Sequence, residues 1–363
     1  MVPAISTVRR ETITAPNSYH IVAGPYLRDI LEQPSALAAT SAGLKSAGAL
    51  SNVVRRLERG DLKRVVLTGM GSSYYALYPL YLQLTSHGYA TVLVETSELV
   101  HYLPSLFDSQ TVIIAVSQSG RSAEIVRLID ANGRRASIIA VTNTDDSPLA
   151  LGADAVFLTR AGQEFSVSCK TYVTALMVLS QLGTLLVDAD LEHTQVELAQ
   201  AAPAVAAYLT EWRTHTLQLA GFLEGVRSLF LVGRGVSLGA VGTGALILKE
   251  SVHCHAEGMS SAAFRHGPIE MLGEGTFVMV FAGDETTRKL NTNLLADIRR
   301  KGGRADIIGV DHDVPSLKIP GTAESVRPIV EILPIQMISL ALAAQTGSEP
   351  GRFNLGSKVT ATE

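Results

Sequence analysis

Two stretches of sequence decide the fold, Val65-Val-Leu-Thr-Gly-Met-Gly-Ser-Ser73 and Leu229-Phe-Leu-Val-Gly-Arg-Gly-Val-Ser237. Each is an apolar run that ends in Gly-x-Gly, and the two lie 164 residues apart. Two further pairs follow in the same order, at offsets of 165 and 169: Thr111-Val-Ile-Ile-Ala-Val116 with Thr276-Phe-Val-Met-Val-Phe281, and Arg135-Ala-Ser-Ile-Ile-Ala-Val141 with Arg304-Ala-Asp-Ile-Ile-Gly-Val310. Matches that recur in order at one long period predict a duplicated domain.

Each copy alternates short apolar strands with helical patterns, such as 122–132 in the first copy and 287–301 in the second. Strands that are apolar on both faces are typical of a parallel sheet covered by helices on both sides. The sequence therefore predicts an α/β protein with two doubly wound parallel-sheet αβα domains in tandem. In such sheets ligands bind beyond the carboxyl ends of the strands, where the glycine-rich and serine-rich turns fall.

The same patterns give the domain boundaries. We expect a helical lead-in at 1–45, the first domain at 46–187, a helical connection at 188–224, the second domain at 225–346 and a polar tail at 347–363. The connection is low in glycine, and Pro203 interrupts its longest apolar pattern.

Composition excludes several classes of protein. The 363 residues are 47% hydrophobic and 18% charged, so a large core is available. A net charge of −4 without a basic run gives little support for binding nucleic acid. Cys169 and Cys254 are the only cysteines, which favours a reducing, cytoplasmic setting. The charged N-terminal segment and the short apolar runs predict neither a secretory signal nor a membrane span.

The turn Ser117-Gln-Ser-Gly-Arg-Ser122 follows a predicted strand and precedes a predicted helix. Hydroxyls, a carboxamide and free backbone N–H groups at a helix N-terminus suit a phosphate monoester. The alternative is a turn in which Ser119 or Ser122 is an ordinary N-cap. The corresponding turn of the second copy, 282–286, has no run of serines and carries two acids, so we infer that only the first copy binds phosphate.

The turn Gly69-Met-Gly-Ser-Ser73 allows a ligand to approach the backbone and adds two hydroxyls. It lacks the third glycine of the dinucleotide fingerprint, because Tyr74 and Tyr75 follow instead. This disfavours a nicotinamide site, and a purely structural turn is the remaining alternative.

The segments 248–257 and 264–270 carry the other candidate chemistry. Glu250 closes an apolar helical run, where the helix dipole should raise the pKa of its carboxyl and make it a proton shuttle. His266 precedes Gly-Pro in a tight turn and could move protons near neutral pH. The alternatives are that Glu250 pairs with Lys249 at the surface and that the histidines serve packing.

A metal site is a further alternative, built from His253, His255, Glu257 and His266. His253 and His255 would share a face only in a strand, and the flanking residues indicate a helix that ends here. No acid that could accept a hydrogen bond from these histidines and orient them is evident, so we expect no metal.

Taken together, these residues resemble the family of proteins with two sugar isomerase (SIS) domains. The chain looks like the isomerase half of glucosamine-6-phosphate synthase and its stand-alone, deaminase-like relatives over nearly all of its length. The motifs that carry the resemblance are Gly71-Ser-Ser73, Ser117-Gln-Ser-Gly120, Glu164-Phe-Ser-Val-Ser-Cys-Lys170, Leu248-Lys-Glu250, His255-Ala-Glu257, His266-Gly-Pro268 and Leu355-Gly-Ser-Lys-Val-Thr360. The resemblance implies flavodoxin-like domains.

The resemblance also implies roles for residues. Ser168 would lie near the sugar hydroxyls, and the phosphate would bind to Gly71, Ser72, Ser73, Ser117, Gln118, Ser119 and Ser122. Glu250 would move the proton between C1 and C2, and Lys358 would meet the C2 carbonyl, where its amine could form an imine. His266 would help to open the sugar ring from the neighbouring subunit, which implies a homodimer whose C-terminal tails close the active sites. Neither metal nor cofactor is needed, because donors in the site stabilise the enediol or enolamine.

Four departures from the synthase bear on function. Position 2 is Val2 and no glutaminase segment is legible, so we expect no ammonia from glutamine. Ile247 stands where the synthase has a lysine three residues before the catalytic glutamate. The segment around Cys169 is one residue shorter, which leaves Ser168 and Cys169 as alternatives for the sugar contact. Lys358 lies one residue away from the position of the corresponding lysine in the synthase.

These observations predict a cytoplasmic, homodimeric enzyme that converts an amino-sugar phosphate such as glucosamine 6-phosphate into fructose 6-phosphate and ammonia. One alternative is an aldose–ketose sugar-phosphate isomerase or an enzyme that processes a fructosamine phosphate. A second alternative is a non-catalytic sensor of sugar phosphates, although no DNA-binding motif is legible.

Overall fold

The computed structural model describes residues 19–44 and 47–360. Residues 1–18 of the predicted lead-in, among them Val2, lie outside the described residues, as do the last three residues of the predicted tail. The first described part is helical: α1 (Tyr19–Val22), α2 (Pro25–Leu31), α3 (Gln33–Ala42) and, after a short 3-10 turn, α4 (Ser51–Glu58).

The first α/β unit then follows. Its elements are β1 (Arg64–Gly69), α5 (Ser72–Ala76), α6 (Tyr78–Ser86), β2 (Thr91–Glu95), α7 (Thr96–Tyr102), β3 (Thr111–Ser117), α8 (Ala123–Asn132), β4 (Ser137–Thr142), α9 (Pro148–Gly152), β5 (Ala155–Leu158) and α10 (Lys170–Leu186). The five strands form one parallel sheet in the order β2-β1-β3-β4-β5.

Three helices lead to the second unit: α11 (Leu191–Leu198), α12 (Ala201–Thr210) and α13 (Trp212–Phe222). The break in this connection precedes Pro203, which lies in the first turn of α12, where a missing backbone N–H costs no helical hydrogen bond. The apolar pattern had predicted that the helix is interrupted at the proline itself.

The second unit contains β6 (Ser228–Gly233), α14 (Leu238–Val252), β7 (His255–Ser260), α15 (Ser261–Arg265), β8 (Thr276–Phe281), α16 (Glu285–Arg300), β9 (Arg304–Ile308), α17 (Arg327–Val330) and α18 (Leu333–Thr346). Its sheet is parallel, with the order β7-β6-β8-β9. The prediction of two parallel-sheet α/β units in tandem is confirmed. Among the described residues, the second sheet repeats the strand order of the first without a fifth strand.

The central strands are apolar because they lie in the core. The central strands β3 and β8 are buried over their whole length, because helices cover both faces of each sheet. The stretch Arg327–Thr346 is long and apolar enough to cross a membrane, which the sequence analysis did not foresee, but 83% of its apolar window is buried inside the fold. It is therefore a core segment, and α18 packs against α13 and α14.

Candidate active site

A cavity of about 320 Å³ opens at the carboxyl ends of β1 and β3. Both copies contribute to it, since α14 of the second copy forms part of its wall. Ten of the eleven predicted site residues line it: Gly71, Ser72, Ser73, Ser117, Gln118, Ser119, Ser122, Ser168, Glu250 and Lys358. The eleventh, His266, does not.

The serine turn, residues 117–122, connects β3 to α8, and several of its polar groups are available to a ligand. Ser117 Oγ accepts a hydrogen bond from the Gly120 backbone N–H at 3.1 Å, which fixes the turn. Gly120 has a φ of 60°, a region that favours glycine. Ser122 occupies the N-cap of α8, yet its side chain makes no capping hydrogen bond. Its hydroxyl is therefore a donor for an anion, as are the backbone N–H groups of Glu124 and Ile125 in the first turn of α8, whereas the N–H of Ala123 is bonded to Thr360.

In the second copy, the side chain of the N-cap residue occupies the equivalent position at the start of the helix. Asp284 is the N-cap of α16, and its carboxylate accepts hydrogen bonds from Thr287 N and Thr287 Oγ1, both at 2.9 Å. The acid supplies the negative charge that the helix N-terminus favours. This supports the expectation that the first copy alone offers a phosphate site.

Glu250 reaches the cavity because α14 lies very close to the first copy. A Cβ atom at Gly242 would lie 2.2 Å from the ring of Tyr75, so only glycine permits this approach between α14 and α5. Leu246, one turn before Glu250, lines the cavity, whereas Ile247 is completely buried in the core. The position at which the family has a lysine thus contributes no cation here.

Burial raises the pKa of Glu250, and the carboxylate of Glu164 adds to this shift. Lys358 and Lys249 oppose it. The sequence analysis predicted the direction but attributed it to the helix dipole, whereas the largest cause is burial. Glu250 forms no ion pair with Lys249 among the described residues, so the surface-pair alternative is not observed.

Lys358 is anchored in the cavity by the segment that precedes α10. Its Nζ donates to Glu164 Oε2 at 2.8 Å and to the carbonyl oxygen of Ser166. Glu164 is 5% exposed and also accepts from the backbone N–H groups of Cys169 and Thr171 at 2.9 and 3.0 Å, and from Thr171 Oγ1 at 2.7 Å. A buried carboxylate with four donors is a fixed anchor for an ammonium group.

The tail beyond α18 forms part of the cavity wall. Gly351 N donates to Ser251 O at 2.9 Å, and the carbonyl of Thr360 accepts from Ala123 N, in the first turn of α8, at 3.2 Å. Lys358, Val359 and Thr360 line the cavity. The tail thereby connects the end of α14 to the start of α8.

The two alternatives for the sugar contact occupy different environments. Ser168 lines the cavity, and its Oγ lies 3.0 Å from Thr171 Oγ1. Cys169 is fully buried, and burial raises the pKa of its thiol well above the usual range. The geometry therefore favours Ser168.

His266 lies at the end of α15 and is exposed, away from the cavity of its own chain. The other histidines do not gather into a metal site. His255 Nε2 lies 3.4 Å from Glu257 Oε1 along β7, and His253 ends α14 with a φ of 51°. Within residues 19–44 and 47–360, no group of three or more His, Cys, Asp or Glu side chains could hold a metal ion.

Sequence reasoning missed several residues that line the cavity. Glu164 and Ser166 lie in the motif 164–170 without a predicted role, and no pattern singles out Thr171 or Glu124. Glu124 is 7% exposed, and its Oε2 has no hydrogen-bond partner among the described residues. The only signal was their position beside the serines, because the hydrogen bonds of Glu164 depend on a loop whose course one sequence does not reveal.

Comparison with known proteins agrees with the repeat. The model of the SIS domain family matches residues 61–185 and 222–316. A curated relative, the isomerizing glutamine–fructose-6-phosphate aminotransferase of Pyrobaculum aerophilum, is 32% identical over 349 residues. The alignment covers 92% of this chain and 57% of that relative, so the chain spans less than two thirds of the curated relatives it matches.

Solved structures show the same fold. The C-terminal domain of glucosamine-fructose-6-phosphate aminotransferase from Francisella tularensis superposes with a TM-score of 0.79 at 20% identity, covering 91% of this chain and 98% of that one. Glucosamine-6-phosphate deaminase from Thermotoga maritima superposes with a TM-score of 0.71 at 20% identity, covering 93% and 100%. At this level of identity the similarity concerns architecture alone.

Proposed function

The chain belongs to the SIS domain family, and from this we propose that it is a sugar-phosphate isomerase that also deaminates an amino-sugar phosphate such as glucosamine 6-phosphate. The products would be the ketose phosphate and ammonia. One observation carries the proposal: the serine turn of the first copy and Glu250 of the second line the same cavity.

The phosphate would bind at the N-terminus of α8. Ser119 and Ser122 offer hydroxyls there, and the first turn of the helix offers the backbone N–H groups that follow Ala123 and the positive end of its dipole. Ser72 and Ser73, at the start of α5, complete the set of hydroxyls. This end of the cavity would fix the sugar so that its C1 and C2 reach the opposite wall.

Glu250 would carry the proton between the two carbons. In the open-chain substrate, with an aldehyde at C1 and an amine at C2, Glu250 removes the C2 proton while the aldehyde oxygen takes a proton from water, which gives an enolamine. Return of the first proton to C1, with loss of a proton from nitrogen to water, leaves an imine at C2. A carboxyl whose pKa is raised by burial exchanges protons more readily near neutral pH than an ordinary glutamate.

Lys358 would act at C2. Glu164 and the Ser166 carbonyl direct its Nζ into the cavity. There its ammonium would pass a proton to the imine nitrogen. The freed amine would add to C2 and expel ammonia, which leaves a protonated imine between Lys358 and the sugar that water hydrolyses to the ketose.

We further propose a cytoplasmic homodimer in which His266 serves the cavity of the partner. His266 is exposed and lies outside the cavity of its own chain. Mixing Glu250→Gln and His266→Asn chains tests this arrangement. Activity restored in the mixture would support a shared site, and a mixture as inactive as both parents would contradict it.

Incubation with a panel of amino-sugar phosphates tests the reaction. Product NMR should show ketose phosphate and ammonia in equal amounts, with turnover lost in Glu250→Gln and retained in Glu257→Gln, a matched control on the exposed part of β7. Absence of both products from every member of the panel would contradict the proposal.

A plain aldose–ketose isomerase is the second candidate, because Lys358 donates two hydrogen bonds and as an ammonium could polarise a C2 oxygen without forming an imine. Borohydride trapping separates the two. A reduced sugar adduct on Lys358 supports the imine route, whereas ketose formation from an unaminated aldose phosphate without an adduct supports the second candidate. A sensor would bind the sugar phosphate and turn over neither substrate.

A further inference from the structure

The second copy has a cavity of its own, of about 170 Å³, at the carboxyl ends of β8 and β9. None of the residues that line it lines the candidate active site. Its position corresponds to the ligand-binding edge of a doubly wound sheet. Helix α16, the segment after β9 and α17 with the residues that follow it form its walls.

A buried carboxyl group faces this cavity. Glu331 is 2% exposed, and its Oε1 accepts a hydrogen bond from Ser237 Oγ at 2.8 Å. Its Oε2 has no partner among the described residues. An unpartnered buried oxygen costs free energy that a ligand with a hydroxyl or amino group would recover.

Two guanidinium groups on the same walls also have unused donors. Arg288 Nε and Arg327 Nη1 are buried and have no partner in the described part of the chain. Their other nitrogens pair with Asp311 and Glu324, whose side chains are 81% and 67% exposed. Such surface ion pairs are weak, so they compete little with an anion inside the cavity.

The remaining lining favours a small organic molecule over an inorganic ion. Leu295, Ile307 and Ile319 supply apolar walls around the three polar groups, and the lining also includes Thr292, His312 and Asp311, the last of which is paired with Arg288. His312 is already engaged, because its Nε2 lies 3.0 Å from Asp306 Oδ1 and its Nδ1 accepts from Val314 N at 2.9 Å. Apolar walls with a few convergent polar groups are typical of small-molecule sites.

We propose that this cavity binds a small carboxylate that also carries a hydroxyl or amino group. The two guanidinium groups donate to the carboxylate, and Glu331 contacts the second polar group. The carboxylate of Asp284, at the N-terminus of α16, repels a doubly charged phosphate more strongly than a singly charged carboxylate, so phosphate is the less favoured of the two anions. The two copies would thus bind different anions at equivalent edges of their sheets.

Calorimetric titration of the whole protein with L-lactate, L-serine, acetate and inorganic phosphate tests the site. Lactate or serine should bind, and acetate, which lacks the second group, more weakly. Arg288→Gln should weaken the binding of lactate or serine about tenfold, since it removes a hydrogen bond to a charged group. Arg300→Gln, an exposed position on the same helix, should leave it unchanged.

Four results would overturn the proposal. Two concern the favoured ligands: neither lactate nor serine binds, or Arg288→Gln and Arg300→Gln weaken their binding equally. The other two are acetate binding as tight as that of lactate, and phosphate binding that Arg288→Gln removes. Turnover of the sugar phosphate should be unchanged in Arg288→Gln. Because turnover is measured separately, failure here and failure of the proposed enzymatic function are distinguishable.

Discussion

The two copies place one turn at the same point of the fold and give it different chemistry. After β3 the chain has Ser122 at the helix N-cap, with a side chain that makes no capping bond. After β8 it has Asp284, whose carboxylate caps its helix by accepting from Thr287 N. Since both helices form, the serines are not needed to begin a helix. The comparison indicates that the first copy leaves donors free for a ligand, whereas the second uses its N-cap for stability.

The largest effect should come from removing the carboxylate that the second copy contributes to the site of the first. Glu250→Gln should lower kcat by about 10² to 10⁴, the usual contribution of a general base, with little change in KM. Steady-state kinetics with the active amino-sugar phosphate measures this. A variant with wild-type kcat would mean that Glu250 is not the proton carrier.

Exchanging the two N-cap residues tests whether they decide which copy binds phosphate. Ser122→Asp should cap α8 and repel the phosphate, so that KM rises about a hundredfold while the melting temperature does not fall. The reciprocal Asp284→Ser should leave KM unchanged and cost up to about 1 kcal/mol of stability. An unchanged KM in Ser122→Asp would show that phosphate does not bind at this turn.

The pH dependence of turnover should reflect the environment of Glu250. Because burial raises its pKa, the base is lost at a higher pH than for an ordinary glutamate. The acidic limb of kcat/KM, which reports the free enzyme, should therefore fall about tenfold per pH unit from a midpoint above 4.5. A limb centred at or below that value would contradict the assignment.

The smallest effect concerns the buried carboxyl of the second copy. Burial raises the pKa of Glu331 to about 7. The folded state then binds more protons than the unfolded state between the two pKa values, so stability falls as pH rises through this range. Glu331→Gln should raise the melting temperature by a few degrees at pH 8 and by less at pH 4. Equal differences at both pH values would be inconsistent with this environment.

The sequence predicted the architecture well because the repeated strands are apolar on both faces. The three matched pairs correspond to β1 and β6, β3 and β8, and β4 and β9. The pattern predicted less well where burial is partial. Strand β7 is buried only at Ala256, and its His255, together with the preceding His253, suggested a metal site instead.

The site residues also divide into those that a local sequence pattern predicts and those that it does not. Serines at a strand end follow a local rule, and the resemblance supplied Glu250 and Lys358, all of which line the cavity. The four hydrogen bonds of Glu164 and the approach of α14 permitted by Gly242 depend on contacts between distant segments, which no local pattern specifies. The placement of His266 in a partner's cavity stays a prediction, since it depends on a second chain.

The central claim is that Glu250 moves a proton between C1 and C2 of a phosphorylated sugar bound to the first copy. NMR of the reaction in D2O tests it directly, with wild-type and Glu250→Gln protein and both glucosamine 6-phosphate and fructose 6-phosphate. The account predicts conversion or deuterium at C1 or C2 with the wild type and neither with Glu250→Gln, which should still bind the sugar. Equal labelling by both proteins, or none by the wild type with either sugar, would contradict it.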